Sequence, residues 1–317
     1  MQHRQLSNTF QSMADKKVVV LGGSGFLGTY ASRTLLSKGY RVLIVDQLPP
    51  KFSHPNMSHL QASVSDNESM SLALEKAEIV LHLQSAILPS DGSELASPRI
   101  DEHLSSLNQL LENMQNKGVS KLMFFSSGGA IYGNPIQSPT PEHHPLRPVN
   151  TYGASKKASE ELIASFISRG LQPLVVRPAN VYGYGQGHRH RNGLLNTLMY
   201  AALNNEQVRI YGLGDAVRDY LYVEDVMLFL EKALDSWIPE TFNLGSGIGH
   251  TIHQVIDLVE EATQKSISKA YFPARKQDPQ SIVLDCRKAA LLMNWKAKMN
   301  LEQGISMFLS KIQSKNE

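Results

Sequence analysis

A glycine-rich turn between a strand pattern and a helix pattern is the feature that most constrains the fold of this chain. Residues 18–21 are apolar and mostly β-branched, which is typical of a buried strand. Gly22, Gly25 and Gly28 follow, and a helical pattern of apolar residues runs on from them. In such a context the first glycine permits a tight turn, the second lets the backbone approach a pyrophosphate, and the third lets the helix pack closely. The pattern predicts a dinucleotide-binding βα unit, with phosphates at the helix N-terminus.

An acidic residue ends the next strand pattern. Residues 41–45 form that pattern and Asp46 follows it, roughly 20 residues beyond the glycine turn. A carboxylate at this place accepts hydrogen bonds from the ribose hydroxyls of adenosine and repels a 2′-phosphate. The sequence therefore favours NAD over NADP as cofactor.

Strand and helix patterns alternate through the first half of the chain. Among them we expect a strand at 59–64 and a long helix at 154–169. The alternation predicts an α/β fold, a doubly wound parallel sheet of the Rossmann type. Past residue 181 the alternation weakens, which indicates a region that completes the sheet and forms a smaller C-terminal lobe. The predicted division is a flexible extension over 1–15, an NAD-binding Rossmann domain over 16–180 and the mixed region over 181–317.

Composition excludes several other classes of function. The 317 residues carry 31 basic and 29 acidic side chains, so no strong positive field favours nucleic acid. No apolar run approaches the ~20 residues of a membrane span, and the first residues lack the apolar core of a signal peptide. Cys286 is the only cysteine, so neither an internal disulfide nor a cysteine metal site is predicted. We expect a cytoplasmic protein without a metal.

Tyr152 and Lys156 form the pattern that carries chemistry. Spaced four residues apart at the start of a predicted helix, they lie on one face, one turn apart. A phenol ionises near pH ~10, which is too high for a base at neutral pH, and a nearby ammonium lowers that pKa. The pair predicts a group that removes a proton from a sugar hydroxyl while hydride leaves the carbon.

In combination these motifs resemble those of extended short-chain dehydrogenases/reductases. The segment from Phe125 to Gly133, the Arg177-Pro-Ala-Asn180 segment and the Arg218-Asp-Tyr-Leu-Tyr-Val segment belong to the same resemblance. Within that superfamily the chain is similar to NAD-dependent nucleotide-sugar epimerases of the UDP-glucose 4-epimerase type, from about residue 17 to 308. The resemblance implies 4-epimerisation of a UDP-hexose or UDP-N-acetylhexosamine and a homodimer. The apolar stripe over 104–114 is then either core or a dimer face.

The resemblance also implies roles for particular residues. The catalytic residues are Tyr152, Lys156 and Ser127. The cofactor-binding residues are Gly22, Gly25, Phe26, Leu27, Gly28, Asp46, Ser63, Val64, Leu83, Gln84, Ser85, Tyr152, Lys156 and Ala179. The substrate-binding residues are Asn180, Asn192, Leu194, Tyr211, Arg218, Arg275 and Asp278.

The chain departs from the family pattern near the reacting group. Gly128 stands where a Ser or Thr usually donates to the sugar oxygen, and Ala130 replaces the hydroxyl that some relatives use. Ser127 is the nearest hydroxyl left. Neither 129 nor 130 is acidic, which argues against sugar 4,6-dehydratases and UDP-glucuronate decarboxylases. His103 occupies a place near the cofactor where the family often has Asn.

These departures leave two alternatives open. One is a nucleotide-sugar 4-ketoreductase of the same fold, for which Asp46 favours NADH over NADPH. The other is an NAD-binding sensor or scaffold with weak catalysis, which Gly128 and Ala130 suggest. The intact Tyr152–Lys156 pair favours an enzyme.

Overall fold

The computed structural model describes residues 16–88, 97–186, 193–275 and 277–314. The strands are Lys17–Leu21 (β1), Arg41–Val45 (β2), Met57–Leu60 (β3), Ala77–His82 (β4), Lys121–Phe125 (β5), Gln172–Pro178 (β6), Asn180–Tyr182 (β7), Gln207–Tyr211 (β8), Val217–Tyr222 (β9), Thr241–Leu244 (β10), Gly249–Thr251 (β11), Ser268–Phe272 (β12) and Ser281–Ile282 (β13). The α-helices are Phe26–Ser37 (α1), Asn67–Ala73 (α2), Pro98–Asn116 (α3), Gly128–Ile131 (α4), Thr151–Ser165 (α5), Leu194–Asn204 (α6), Val223–Asp235 (α7), Ile252–Thr263 (α8), Arg287–Met293 (α9) and Leu301–Gln313 (α10). A 3₁₀ turn, Ile167–Arg169, follows α5.

Seven of these strands form one parallel sheet in the order β10-β6-β5-β4-β1-β2-β3. Residues 18–21 of β1 are fully buried, as expected for a central strand covered on both faces. The direction of winding reverses between β1 and β4, and a crevice opens there at the carboxyl ends of the strands. The predicted doubly wound Rossmann fold is confirmed.

Helices cover both faces of the sheet. On one face α1, α7 and α9 contribute Ala31, Leu35, Val226, Leu230 and Ala289 to a single core. On the other face α2, α3 and α5 contribute Met70, Leu107, Leu110, Leu111, Met114 and Ile163. The last four α3 positions of the apolar stripe are fully buried, so this part of the stripe belongs to the core.

The C-terminal region adds a strand to the main sheet and also forms a lobe of its own. Its strand β10 extends the main sheet beside β6. The remaining elements build a lobe in which β7, β9, β11 and β13 pair with one another, β8 pairs with β12, and α6, α8 and α10 enclose a third core. The predicted boundary at residue 180 stays a prediction. Within the described ranges, no helix is long and apolar enough to cross a membrane, and no three His, Cys, Asp or Glu side chains converge as metal ligands would.

Some element boundaries differ from the predicted ones. The third strand ends at Leu60 rather than 64, because it pairs with β2, whose last residue Val45 lies opposite Leu60. The helix of Tyr152 begins three residues earlier than predicted, because the side chain of Asn150 caps it. The short helix α4 was not predicted, since two adjacent glycines disfavour a helix.

Candidate active site

The glycine turn lies between β1 and α1, at the edge where the parallel strands end. Gly22 has φ +80°, a left-handed conformation that favours glycine. A Cβ on Gly28 would lie 2.1 Å from the carbonyl oxygen of Gly22, so only glycine lets α1 pack this closely. Gly25 precedes α1 and, having no side chain, cannot cap the helix. The first N–H groups of the helix, including those of Phe26 and Leu27, are therefore available to an anion.

Asp46 stands beside this turn at the end of β2. Its carboxylate accepts hydrogen bonds from the N–H of Ser24 at 3.1 Å and from the N–H of Leu48 at 3.0 Å. A carboxylate offers about four acceptor sites, so these two bonds fix its position and leave lone pairs for further donors. This arrangement suits the two hydroxyls of a ribose.

A cavity of about 580 Å³ lies at the carboxyl end of β4, between the loop after β3 and helix α3. Ser63, Val64 and Gln84 line it, so the fold brings three of the predicted cofactor residues to one space. His82 and His103 line the same space.

The other predicted cofactor residues have their backbone or side chain fixed near the ends of strands. The N–H of Leu83 donates to the end of β1 at 3.0 Å, and that of Ala179 donates to the end of β10 at 2.7 Å. The hydroxyl of Ser85 donates to a carbonyl two residues on, at 2.6 Å. The sheet therefore sets the positions of Leu83 and Ala179, and a local side-chain hydrogen bond sets that of Ser85.

Helix α5 positions Tyr152 and Lys156. The side-chain oxygen of Asn150 accepts from the N–H three residues on at 2.8 Å, so the helix starts early and Tyr152 lies in its first turn. The Lys156 ammonium lies 5.6 Å from the centre of the Tyr152 ring and donates to the carbonyl oxygen of Phe125 at 2.9 Å. The side chain of Ser127 lies beside the Tyr152 hydroxyl. The structure therefore brings together all three predicted catalytic residues.

Burial changes the pKa of both members of the pair. The protein packed around the Tyr152 hydroxyl raises its pKa, and the neighbouring Ser127 side chain offsets only part of that rise. Burial lowers the pKa of Lys156 to about 8, against an opposing effect of the Glu160 carboxylate. The predicted lowering of the Tyr152 pKa is therefore wrong for the protein alone. Desolvation of the phenolate outweighs the attraction of an ammonium 5.6 Å from the ring.

Position 128, where the family that this chain resembles usually has Ser or Thr, has no room for a side chain. A Cβ on Gly128 would lie 2.5 Å from Cδ1 of Leu284 and 2.9 Å from the carbonyl oxygen of Arg177. Leu284 is fully buried. The hydroxyl that lies beside Tyr152 comes instead from Ser127, one residue earlier. No local pattern in the sequence could have predicted the contact with Leu284, which lies far along the chain.

Sequence reasoning also missed the ion pair that fixes α5 to the sheet. The Arg177 guanidinium donates to both oxygens of Glu160, at 3.0 Å and 2.6 Å, and to the Tyr132 hydroxyl at 2.9 Å. The Arg177 and Glu160 side chains are 7% and 9% exposed, so the pair is shielded from solvent. Glu160 lies on α5 and Arg177 on β6, so no local spacing in the sequence signals this pair.

Four predicted substrate residues come together in the C-terminal lobe. The Arg275 guanidinium lies 4.1 Å from the centre of the Tyr211 ring and donates to the Asp278 carboxylate at 2.7 Å. Arg218 donates to the carbonyl oxygen of Val217 at 2.8 Å, and burial lowers its pKa while Asp278 opposes that shift. Two guanidinium groups, one carboxylate and an aromatic face are chemically suited to phosphates, a ribose and a base.

The remaining substrate residues are less connected. The Asn180 amide donates to the carbonyl oxygen of Asp219 at 2.9 Å. Leu194 begins α6 and packs against the core of the lobe. Asn192 lies outside the described residues.

Several unused polar groups fit a dinucleotide. Among the described residues, the buried hydroxyl of Ser126 has no hydrogen-bond partner, and the Lys156 ammonium uses one of its three donors. Together with the uncapped α1 and the fixed carboxylate of Asp46, these groups could hold a pyrophosphate and two riboses.

A doubly wound sheet with this glycine turn, an acid after β2 and a Tyr/Lys pair on α5 defines an extended short-chain dehydrogenase/reductase. The family model "NAD dependent epimerase/dehydratase family" matches residues 18–245, and the chain belongs to this family. The chain is therefore an NAD-dependent epimerase of the extended type, and NAD is its cofactor.

Known proteins resemble it along most of its length. The UDP-glucose 4-epimerase of Lactobacillus helveticus is 30% identical, covering 89% of this chain and 92% of the relative. A structure of UDP-glucose 4-epimerase with UDP-glucose from Thermotoga maritima is 32% identical with a TM-score of 0.87, covering 95% of this chain and 100% of that one. A UDP-glucose 4-epimerase from Thermus thermophilus, solved as a complex with NAD, is 30% identical with a TM-score of 0.85, covering 94% of this chain and 99% of that one.

Proposed function

We propose that this protein is a nucleotide-sugar 4-epimerase that acts on a UDP-hexose or a UDP-N-acetylhexosamine. All three relatives described above are named UDP-glucose 4-epimerases, and the Thermotoga maritima structure contains UDP-glucose. Two of them are solved structures that share the fold over nearly the whole chain. These likenesses support a UDP-linked sugar as the substrate.

The observation that carries the proposal is the placement of the Ser127 side chain beside the Tyr152 hydroxyl, with Lys156 one turn further along α5. Tyr152 acts as the base that takes the proton of the sugar 4-hydroxyl, and Ser127 holds that same oxygen. Lys156 stabilises the phenolate and binds the nicotinamide ribose. NAD, which the glycine turn, Asp46 and Lys156 would hold, would supply reversible hydride transfer at C4 of the sugar.

The cluster in the C-terminal lobe binds the nucleotide part of the substrate. Arg218 and Arg275 bind the diphosphate, since a planar guanidinium matches two phosphate oxygens at once. Asp278 accepts from the ribose and Tyr211 stacks on the base. Arg275 and Asp278 are already paired at 2.7 Å. The nucleotide therefore finds both side chains at one place in the lobe.

NMR of the purified protein with UDP-glucose or UDP-N-acetylglucosamine, without added cofactor, tests the proposal. We expect the 4-epimer from the unmodified protein and at least about a hundredfold lower rate from Tyr152→Phe, because general base catalysis contributes about 10²–10⁴-fold. Tyr271→Phe is the matched control. Tyr271 undergoes the same chemical change but is 54% exposed on β12, and its rate should equal that of the unmodified protein.

Two results would contradict the proposal. One is product formation by Tyr152→Phe at the unmodified rate. The other is bound NAD with no product from either sugar, in which case consumption of NADH with a UDP-4-keto sugar would identify the ketoreductase alternative.

A further inference from the structure

His103 and Ser159 form a polar contact between α3 and α5, next to Lys156. Nε2 of His103 lies 3.1 Å from the hydroxyl oxygen of Ser159. That hydroxyl is buried and donates its proton to the carbonyl oxygen of Ser155 at 2.7 Å. Ser159 lies three residues after Lys156 and seven after Tyr152, so the three side chains share one face of α5.

This pair of hydrogen bonds fixes the tautomer of His103. A serine hydroxyl has a single proton, and a carbonyl oxygen can only accept, so the proton of Ser159 is committed to Ser155. Nε2 of His103 must therefore carry the hydrogen that Ser159 accepts. Burial, with a further contribution from the Lys156 charge, lowers the pKa of His103 to about 4, so the ring is neutral at physiological pH. Nδ1 is then an acceptor with a free lone pair.

The side chain that carries this lone pair belongs to the wall of the predicted cofactor cavity. His103 lines the cavity together with Ser63, Val64 and Gln84. Ser159 is the one hydrogen-bond partner of the ring within the described ranges, so Nδ1 is the nitrogen left for a ligand. His82 lies across from it, with ring centres 6.5 Å apart, and its buried Nδ1 also has no partner among the described residues.

We propose that His103 is a cofactor-binding residue that accepts, through Nδ1, a hydrogen bond from an O–H or N–H group of the bound dinucleotide. The donor is a ribose hydroxyl, the exocyclic amine of adenine or the nicotinamide carboxamide, because these are the neutral donors that NAD offers. A phosphate oxygen is excluded as partner, since two acceptors repel each other. This role rests on NAD as the cofactor and is independent of which sugar is used.

The same geometry argues against a proton relay from Lys156 through His103. The proton on Nε2 points to Ser159, whose own proton is donated to a backbone carbonyl. The carbonyl cannot pass a proton on, so this chain of hydrogen bonds ends there. Burial also lowers the pKa of His82 to about 3, far below that of Lys156 at about 8. Neither imidazole readily takes a proton from the ammonium.

Calorimetric titration of the full-length, nucleotide-stripped protein with NAD tests the proposal without any sugar present. We expect His103→Phe to bind NAD about tenfold more weakly, because a ligand donor is left without its acceptor in a buried site. His103→Asn, whose amide oxygen can accept, should stay within about threefold of the unmodified protein. His143→Phe, the same change at an exposed histidine, is the matched control and should bind NAD normally.

Nicotinamide hypoxanthine dinucleotide, which lacks the exocyclic amine, separates the adenine amine from the other donors. If the amine is the donor, His103→Phe and the unmodified protein bind this analogue equally. If a ribose hydroxyl or the carboxamide is the donor, the tenfold difference persists. The proposal is overturned if His103→Phe, shown to be folded by circular dichroism, binds NAD within twofold of the unmodified protein, or if His103→Asn is as weak as His103→Phe. Because no sugar is present, these results do not depend on the proposed epimerase reaction.

Discussion

Replacing Gly128 by serine restores the residue type that the family usually has, yet we expect it to damage this protein. The new Cβ would lie 2.5 Å and 3.1 Å from the two methyl carbons of Leu284 and 2.9 Å from the carbonyl oxygen of Arg177. Comfortable contacts between carbon atoms are about 3.5–4.0 Å. Leu284 has little freedom to retreat, because it is fully buried and its N–H donates to Asp219 at 3.2 Å.

The expected loss follows from that overlap. Inserting atoms into a packed core costs about 1–3 kcal/mol, and two methyl groups and a backbone oxygen are affected here, so we expect the upper part of that range. For a chain of this size about 1 kcal/mol lowers Tm by about 2–4 °C, which gives a loss of about 5–10 °C. Thermal unfolding followed by circular dichroism at a fixed scan rate measures it.

Gly129→Ser is the matched control for this prediction. Its Cβ would lie 3.6 Å from the Asn180 side chain, an ordinary contact, so the same chemical change should move Tm by only a few degrees. Gly128→Ser combined with Leu284→Ala should lose less than the sum of the two single changes, because the truncated side chain makes the room that serine needs. A Gly128→Ser protein that is as stable as the unmodified one, and turns over faster, would refute this reasoning and make Gly128 a missing catalytic hydroxyl instead.

Two further predictions concern buried charges on α5. Burial lowers the pKa of Lys156 to about 8, below the ~10.4 of an unfolded lysine. The buried ammonium therefore reduces the free energy of unfolding, fully below pH 8 and less and less as the pH rises towards ~10.4. Lys156→Met should therefore be more stable than the unmodified protein by about 3 kcal/mol at pH 7, and this advantage should shrink above pH 8. Urea denaturation curves at several pH values measure it, and an advantage that does not change with pH would contradict the prediction. Glu160→Gln leaves the Arg177 charge buried without its partner and should lose about 3–5 kcal/mol in the same assay, whereas Glu161→Gln on the exposed side of the helix should lose less than about 1 kcal/mol.

The features that the sequence predicts well are those that depend on residues close together along the chain. The βα turn at Gly22 is encoded by a strand pattern, three glycines and a helix pattern that follow one another directly. The Tyr152–Lys156 pair needs only helical spacing. Both are local, so the physics that forms them can be read from a short window.

The features that escaped prediction depend on contacts between distant segments. Whether Ser127 or position 128 supplies the hydroxyl is decided by Leu284, more than 150 residues further on. The partner of Glu160 is on β6, and that of Ser159 is on α3. A sequence pattern gives the types of these residues but not which of them meet, because packing of whole elements decides it.

The direction of the Tyr152 pKa shift shows how far local reasoning extends. Spacing alone predicts a phenol close to an ammonium, and from that a lowered pKa. In the structure, burial raises the pKa of Tyr152 and lowers that of Lys156, and the ammonium donates to the carbonyl of Phe125. As pH rises the protein alone therefore loses the Lys156 proton before that of Tyr152. For Tyr152 to serve as the proposed base, its phenolate must be stabilised by what binds in the cleft, so the proton-accepting state belongs to the loaded enzyme and not to the folded chain by itself.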